Sequence, residues 1–538
     1  MDQLTGKSFK VLLESANNNL ANQHKEIDAL NVFPVPDGDT GTNMNLTFTS
    51  GVSQALALKT EDFAQITKTL SRGLLMGARG NSGVILSQIF RGVAQSVEGK
   101  TSVNALDLGA AFLRGSEVAY KAVMRPVEGT ILTVVREASW YANDYVEKKE
   151  KPTIEDYFEI FVKESEESLK RTPDLLPVLK EVGVLDSGGA GFVAILNGIN
   201  EALKGHPVKL LNMSEASAKE ESQEVGYRTE FWLSLSRLAQ NDDKTSDDLL
   251  RKLQQAGENI RLNPQDKLIQ VSLNTLTPGQ VLNLAQRYGT FQKVQINSLN
   301  EDLPDSIVEK VIAKKEHTKY AIIAVATGKG LGRMFKDLGA DVIVSGGQTM
   351  NPSTEDFVSA VDSLNADHII ILPNNGNIIM AAQQCKNVKD KLDIRVIETK
   401  TLPQGLSALI SFDPESDPDT NITNMELAGK HALSGEVTYA IKDTSIDGLA
   451  IKAHGYMGIM GKQIVACDPD MMKATKELLD SLLKGNEDEY SVVTIITGED
   501  ADDTQAKILK DYVSKHYQYE VETYKGDQAV YSFIIGVD

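Results

Sequence analysis

Over roughly the first two hundred residues, apolar side chains return with a helical period in one segment after another, and no other feature limits the fold as strongly. Phe9, Leu12, Leu13, Ala16 and Leu20 fall on one face of a first helix. The same spacing recurs near residues 61–75, 83–97, 103–124, 129–147, 154–170 and 190–204. Segments patterned in this way bury helix faces against helix faces, so residues 1–206 are predicted to form an almost wholly helical domain of about eight helices. At 538 residues the chain is too long for one core, and its pattern changes twice downstream. From Pro207 to Val225 it turns polar, with Ser214, Ser217, Glu220, Glu221 and Ser222, and residues 207–225 read as a linker. Residues 226–315 combine strict alternation, as in Leu268 to Leu273, with a helical stretch at 246–257, which gives a small α+β middle domain. Residues 316–538 open on the apolar run Ala321 to Ala326. Further strand-like runs at Val342–Val344, His368–Leu372, Ile394–Ile397 and Val492–Ile496 mostly alternate with helices, so a C-terminal α/β domain is expected.

Composition narrows the function classes. A formal charge of −20 argues against nucleic acid or an anionic membrane surface as partner. Cys385 and Cys467 are far apart and fit a reducing compartment better than a disulfide framework. Asp2, Lys7, Lys10 and Glu14 interrupt the first apolar segment, and no run approaches membrane-spanning length. A cytoplasmic protein with no transmembrane segment is expected.

The chemistry concentrates in three Gly-rich segments of the helical region. In Asn31-Val-Phe-Pro-Val-Pro-Asp-Gly-Asp-Thr-Gly-Thr-Asn-Met44, Asp37 and Asp39 stand two residues apart, with Pro34, Pro36, Gly38 and Gly41 keeping the segment out of helix and sheet. Two carboxylates on one face of an extended loop suit magnesium, which keeps several waters and shares its shell with substrate phosphates. Alone, D-G-D also fits an Asx-type turn with solvated acids. Gly77-Ala-Arg-Gly-Asn-Ser-Gly83 and Leu185-Asp-Ser-Gly-Gly-Ala-Gly191 each precede an apolar helical stretch, so each feeds a helix N-terminus whose backbone N–H groups can hold phosphate without a lysine. Asn81 and Ser82 are also ordinary N-cap residues. No G-x-x-x-x-G-K-[ST] occurs, so the chain is not a P-loop enzyme.

Three downstream segments remain open. Thr327-Gly-Lys-Gly-Leu-Gly332 follows a strand, but no acidic residue ends a following strand at the usual distance, and a tight β-to-α turn explains it better than a dinucleotide site. Gly346 to Thr354 and Leu372 to Asn375 follow strands where α/β sheets carry binding loops, and both also fit turn and N-cap chemistry.

Together the P-V-P-D-G-D-T-G-T-N-M-N segment, Leu74 to Ser87, Tyr120 to Thr133, Leu176 to Gly189 and Ser345 to Glu355 resemble the fatty acid kinase A subunits of bacteria, whose nucleotide domain is of the dihydroxyacetone kinase L-subunit type. The resemblance implies a helical barrel with nucleotide and metal at one end, and transfer of the ATP γ-phosphate to a fatty acid carboxylate. That acid is presented by a DegV-like fatty-acid-binding protein, and the product is an acyl phosphate. It implies that Asp37 and Asp39 hold magnesium, two ions in all, and that Thr40, Gly41, Thr42 and Asn43 line the triphosphate with Gly80, Asn81 and Ser82. Gly129, Thr130, Asp186, Ser187 and Gly188 border the nucleotide. Asn31 matches the superfamily's upstream aspartate, a third metal ligand, only across a one-residue insertion. Arg79 is the nearest cation and either steadies transition-state charge or is a surface arginine. The middle domain is expected to form a homodimer and residues 316–538 to dock the partner, with the two downstream loops as candidates.

One departure concerns zinc. Many relatives carry a cysteine after the Gly-Tyr matching Gly226-Tyr227 and a His-x-His before the Pro-Gly matching Pro278-Gly279; here Arg228, Ser272 and Asn274 stand instead, so no zinc is expected. A carboxylate acceptor needs no general base, which fits the absence of an obvious catalytic histidine. Two alternatives stand beside this reading: a kinase for a small hydroxylated substrate such as dihydroxyacetone, and a nucleotide-binding regulator without turnover.

Overall fold

The computed structural model describes residues 1–32, 38–211, 227–235, 249, 252–253, 258–265, 268–275, 278–286, 288–298, 317–347, 351–440, 444–446, 449–461, 463–486 and 488–538. Asp37, residues 212–225 of the expected linker, most of the expected helix at 246–257 and Gln348 to Met350 lie outside the described residues. The chain divides into two compact units, Met1–Leu211 with Glu316–Asp538, and Asn212–Lys315.

The first unit begins with the helices α1 (Gly6–Asp28), α2 (Thr40–Ala57), α3 (Phe63–Met76), α4 (Gly80–Ser96), α5 (Ala105–Ala122), α6 (Ile131–Lys148), α7 (Ile154–Leu175), the six-residue α8 (Pro177–Val182) and α9 (Ser187–Leu203). Two-residue strands β1 (Leu4–Thr5) and β2 (Ser102–Val103) pair ahead of α1 and α5. Local chemistry sets several boundaries. Asn104 with Asp107 and Thr153 with Asp156 form capping boxes that start α5 and α7, and Asp62 caps α3. Aromatic side chains fill the middle of the bundle, where Phe48, Phe90, Phe112, Phe161 and Phe192 form a chain with neighbouring ring centroids 4.9–6.2 Å apart.

Helix α2 corrects the sequence reading, which left its whole span out of the helical periodicity and used Gly41 as a helix breaker. Its buried positions, Thr40, Gly41, Met44, Thr47, Phe48, Gly51, Val52 and Ala55, do keep a helical spacing. Thr and Gly fill half of them, which hides the apolar stripe. Gly41 is needed for close packing rather than for a break, because a Cβ there would run into the backbone carbonyl of His24 on α1.

Within the separate second unit, β3 (Tyr227–Leu235), β4 (Glu258–Gln265), β5 (Leu268–Thr275) and β6 (Gly289–Ser298) form an antiparallel sheet of order β4-β5-β3-β6, accompanied by a helix, Pro278–Ala285. Its register sets Arg228 opposite Asn274 and Glu230 opposite Ser272, so the three positions where relatives carry Cys and His share one face. Here the Ser272 hydroxyl donates to the Glu230 carboxylate at 3.1 Å.

The C-terminal half of the first unit has the expected α/β character, in two main sheets. The strands β7 (Thr318–Ala326), β8 (Val342–Ser345), β9 (Ala366–Leu372) and β10 (Asp393–Val396) form an all-parallel sheet of order β10-β9-β7-β8. The strands β11 (Leu433–Tyr439), β14 (Tyr456–Met460), β15 (Gln463–Asp468), β16 (Val492–Thr497), β17 (Glu520–Lys525) and β18 (Phe533–Val537) form a mixed sheet in which only β16 and β17 run parallel. Between β11 and β14 the short strands β12 (Thr444–Ile446) and β13 (Leu449–Ile451) pair with each other. The glycines of Thr327 to Gly332 serve packing, as a tight turn requires. Gly328 has φ +89°, and the amides of Gly330 and Leu331 donate to the carbonyl of Gly526 at 3.0 Å, so that helix N-terminus is already occupied by backbone.

The helical region and the parallel sheet share a core. Ala78 and Val84, at the α3–α4 corner, pack in one cluster with Ile323, Val344, Phe357, Val358 and Ile378.

Candidate functional site

Successive helices of the bundle run up and down, so the connections after α1, α3, α5 and α7–α8 meet at one end. These are the Gly-rich segments singled out by sequence, together with Val123 to Thr130. The N-termini of α2, α4, α6 and α9 therefore converge there with their positive dipole ends and unpaired N–H groups.

The α2–α4 side is built from side chains that fasten one loop to the next. Asn31 Oδ1 accepts from the Thr40 amide at 3.1 Å and from the Thr40 hydroxyl. The Asp28 carboxylate accepts from the Thr42 amide and hydroxyl at 2.9 and 2.7 Å. Sequence reasoning missed Asp28 because nothing distinguishes it from other acids of α1. Thr40, Gly41 and Asn43 are buried in the first turn of α2, and Thr42 is half-buried. Gly80 opens α4 at φ +59°, where a Cβ would sit 2.8 Å from Asn43 Nδ2. The Arg79 amide donates to the Thr47 hydroxyl at 3.1 Å. Asn81 and Ser82 follow, half-buried, in the first turn of α4.

The α6–α9 side is tied by one carboxylate. Asp186 is buried at the start of α9; it accepts from the Gly189 amide at 2.7 Å and from the Ile131 amide of α6, and its own amide donates to Thr172 Oγ1 at 3.1 Å. Burial pushes its pKa up to about 6 in spite of those two donors. Ser187 and Gly188 are buried beside it, and Gly129, at φ +80°, packs on Leu176 and the carbonyl of Thr172. The Thr130 hydroxyl donates to the Val127 carbonyl at 2.8 Å. Glu128, which sequence did not single out, takes Arg136 at 2.5 and 2.9 Å and the Thr133 hydroxyl at 2.7 Å.

Asp39 stands at the N-terminus of α2, 9% exposed, and its carboxylate caps none of that helix's own amides. Instead Asp39 Oδ2 accepts from Asn351 Nδ2 at 2.5 Å, a contact spanning 312 residues. The segment around Asn351, and the loop after β9, engage the α3–α4 corner at several points. Arg79 donates to the Asn351 carbonyl at 2.7 Å and lies 3.7 Å from the Asp356 carboxylate. The Thr354 amide donates to the Ala78 carbonyl at 3.2 Å, and Asn81 donates to Asn377 at 3.0 Å. Arg79 and Asn81 thus turn toward residues 351–377, and the described parts of the two loops considered for partner docking are engaged inside the chain. Asn374 and Asn375 are buried as well.

Among the described residues no three His, Cys, Asp or Glu cluster as a metal site. Asp37, half of the expected pair, lies outside them. The donors that are described, the Asp39 carboxylate and amide oxygens of Asn31 and Asn351, are all hard oxygens, which fits magnesium rather than zinc. Asn351 Oδ1 is buried and accepts no hydrogen bond.

Comparison with known proteins covers most of the chain. The family model described as "DAK2 domain" matches residues 34–201. Two models of the FakA-like family, whose description is that of fatty acid kinase, match further on: its middle domain at 224–305 and its C-terminal domain at 321–538. Protein YloV of Bacillus subtilis is 42% identical over 556 aligned residues, covering 99% of each chain. An uncharacterized protein of Staphylococcus epidermidis is 38% identical over 559, covering 100% of each. Solved structures match more faintly. A DegV family protein from Thermus thermophilus, whose title concerns fatty acid binding, matches at 12% identity over 41% of this chain and 100% of that one, with a TM-score of 0.31. The dihydroxyacetone kinase of C. freundii in complex with AMP-PNP and Mg2+ matches at 17% identity over 36% of this chain and 33% of that one, with a TM-score of 0.28. Similarity at that level carries no argument about fold.

Proposed function

The chain belongs to the fatty acid kinase A-like (FakA-like) family and carries a DAK2 domain, and from that premise we propose that it transfers the ATP γ-phosphate to the carboxylate of a fatty acid held by a separate DegV-like protein. The observation that carries this reading is the meeting of four helix N-termini around the buried Asp39 at one end of the bundle. A triphosphate needs its charge neutralised and its γ-phosphorus held in line with the acceptor, and this end offers backbone amides for the first task with no Walker lysine. Residues 1–206 form the kinase domain in this reading.

Asp37 and Asp39, with Asn31 as a further oxygen, are the residues that hold the two magnesium ions. Magnesium, when bound, bridges phosphate oxygens and offsets the charge that builds up in the transition state. The first turns of α2 and α4, Thr40 to Asn43 and Gly80 to Ser82, line the phosphates. Thr42 does so chiefly by position, since Asp28 takes both its amide and its hydroxyl. Gly129, Thr130 and Asp186 to Gly188 border the nucleotide. A carboxylate oxygen of the fatty acid forms the new P–O bond as the bond from phosphorus to the β,γ-bridging oxygen breaks, and ADP leaves with that electron pair. The acceptor is already ionised near neutral pH, so no proton has to be removed.

Fatty acid is poorly soluble, and among the described residues no helix is long and apolar enough to cross a membrane, so delivery falls to the partner in the cytoplasm. Residues 316–538 dock that partner through surfaces other than the two loops turned toward α3 and α4, residues 226–315 dimerise, and 207–225 link the parts. The test is ATP consumption by the purified chain with Mg2+ and oleate, with and without a DegV-like fatty-acid-binding protein from the same cell, trapping acyl phosphate as the hydroxamate. Turnover only with the loaded partner is expected. Tight ATP binding without acyl phosphate would overturn the reading in favour of a kinase for a small hydroxylated substrate or a regulator.

A further inference from the structure

We propose that Asn351, from the C-terminal α/β half of the chain, is a positioning residue of the kinase site that orients Asp39 for its cation. This inference rests on the reading of Asp39 as a metal carboxylate.

Asn351 is 2% exposed and lies in the segment between β8 and the helix Thr354–Asp362. Several independent contacts fix it. Its carbonyl receives Arg79 at 2.7 Å, and Thr354, three residues on, donates its amide to Ala78 at 3.2 Å. Ser353 and Asp356 form a capping box that sets where the following helix begins. Below it Ala78 and Val84 share an apolar core with Phe357 and Val358. A side chain supported in this way has little freedom to swing.

The amide can face Asp39 in only one sense. Its Nδ2 donates to Asp39 Oδ2 at 2.5 Å, and the reverse orientation would set a carbonyl oxygen against a carboxylate. A carboxylate with one oxygen held by an N–H donor presents the other in a fixed direction, which is how outer-shell donors tune metal ligands. Asn351 Oδ1 remains buried with no donor, and such an acceptor is costly unless something not yet counted satisfies it. A water of the magnesium shell, which has O–H groups to give, meets that need. The cation affinity of the helical domain therefore depends on a residue that only the docked C-terminal half supplies.

The test is Mn2+ binding to the full-length protein, followed by the electron paramagnetic resonance signal of the free ion with ADP present, in wild type, Asp39→Ala, Asn351→Ala and Gln384→Ala. Gln384 contacts Gln88 across the same junction at 3.3 Å but does not approach Asp39, so it reports on the junction alone. Wild type is expected to bind Mn2+ and Asp39→Ala to lose it. Asn351→Ala should weaken it about 10- to 100-fold, and Gln384→Ala should leave it unchanged. If Asn351→Ala melts early, Asn351→Leu, of nearly the same shape, is read in its place. Wild-type affinity in the Asn351 variants, or equal losses in Asn351→Ala and Gln384→Ala, would overturn the inference while leaving the kinase reading intact. Equal Mn2+ binding by wild type and Asp39→Ala would instead remove the metal role of Asp39 on which it rests.

Discussion

Two buried aspartates stand at helix N-termini on the same end of the bundle, and their surroundings assign them opposite tasks. Asp186, on the α6–α9 side, gives its carboxylate to the amides of Gly189 and Ile131 and so joins two helices by backbone contacts. Asp39, on the α2–α4 side, caps no amide of its own helix and is met by a side chain 312 residues away. The first arrangement is complete in itself. The second holds an oriented carboxylate beside an unsatisfied amide oxygen, which is the form of a site awaiting a ligand. A residue type and a place in the fold are therefore not enough to identify a functional acid; the partners of its two oxygens are.

The comparison breaks most visibly under substitution at the two positions. Asp39→Asn keeps the shape and an acceptor for Asn351 while removing the charge. Turnover in the acyl phosphate assay should fall on the order of a thousandfold, since a bound cation is worth several kcal/mol of transition-state stabilisation. Its melting temperature should move little. Asp186→Ala strands two buried N–H groups and should first lower stability, by about 2–4 kcal/mol, read by thermal melting. If Asp39→Asn melted early with turnover near wild type, the assignment of the two acids would be reversed.

A smaller effect sharpens the same contrast through pH. Burial raises the Asp186 pKa in the folded protein to about 6, above the ordinary carboxylate value near 4. The folded state then binds more protons than the unfolded one between those values. This carboxyl's contribution to stability is full below pH 4 and is lost as pH rises through 6, a change of roughly 3 kcal/mol. Glu436, also pushed up by burial to about 7, acts in the same direction, so total stability does not isolate Asp186. The wild-type stability minus that of Asp186→Asn, from melts between pH 4 and pH 7, should decline with pH. A flat difference would show that the backbone donors outweigh burial.

Much of the fold and of the bundle end was legible in sequence, and the failures have physical causes. The loop-to-helix corners at Gly80 and Ser187 could be read because glycines precede an apolar stripe. Asp186 could be named, but not its double capping role, because Ile131 lies 55 positions back and only tertiary packing brings it near. Helix α2 was hidden because Thr40, Gly41, Thr47 and Gly51 hold buried positions that a periodicity search expects to be apolar. In the mixed sheet only β16, with its apolar Val493, Ile495 and Ile496, announced itself. β17, from Glu520 to Lys525, buries only Val521. Asn351 stood in a segment that sequence did single out, yet its local pattern reads as turn and cap, which Ser353 indeed provides. Contact with Asp39 has no local signature.

The smallest effect concerns two glycines that share a positive φ but not a setting. Gly80, at φ +59°, opens α4 with its Cα facing Asn43, and Gly183, at φ +76°, ends α8 with open space where a Cβ would go. An alanine at Gly183 meets only the cost of the left-handed backbone, about 1 kcal/mol, and should leave nucleotide affinity as it was. An alanine at Gly80 meets that cost and also pushes its Cβ to 2.8 Å from Asn43 Nδ2, so Asn43 and the first turn of α4 must shift together. That turn supplies the amides assigned to phosphate. Gly80→Ala should therefore weaken ADP binding several-fold, measured by calorimetry, at a stability loss only modestly larger than that of Gly183→Ala. Equal ADP affinity in the two variants would mean that the first turn of α4 does not touch the phosphates, and the α2–α4 side would keep its metal carboxylate but lose half of its anion cradle.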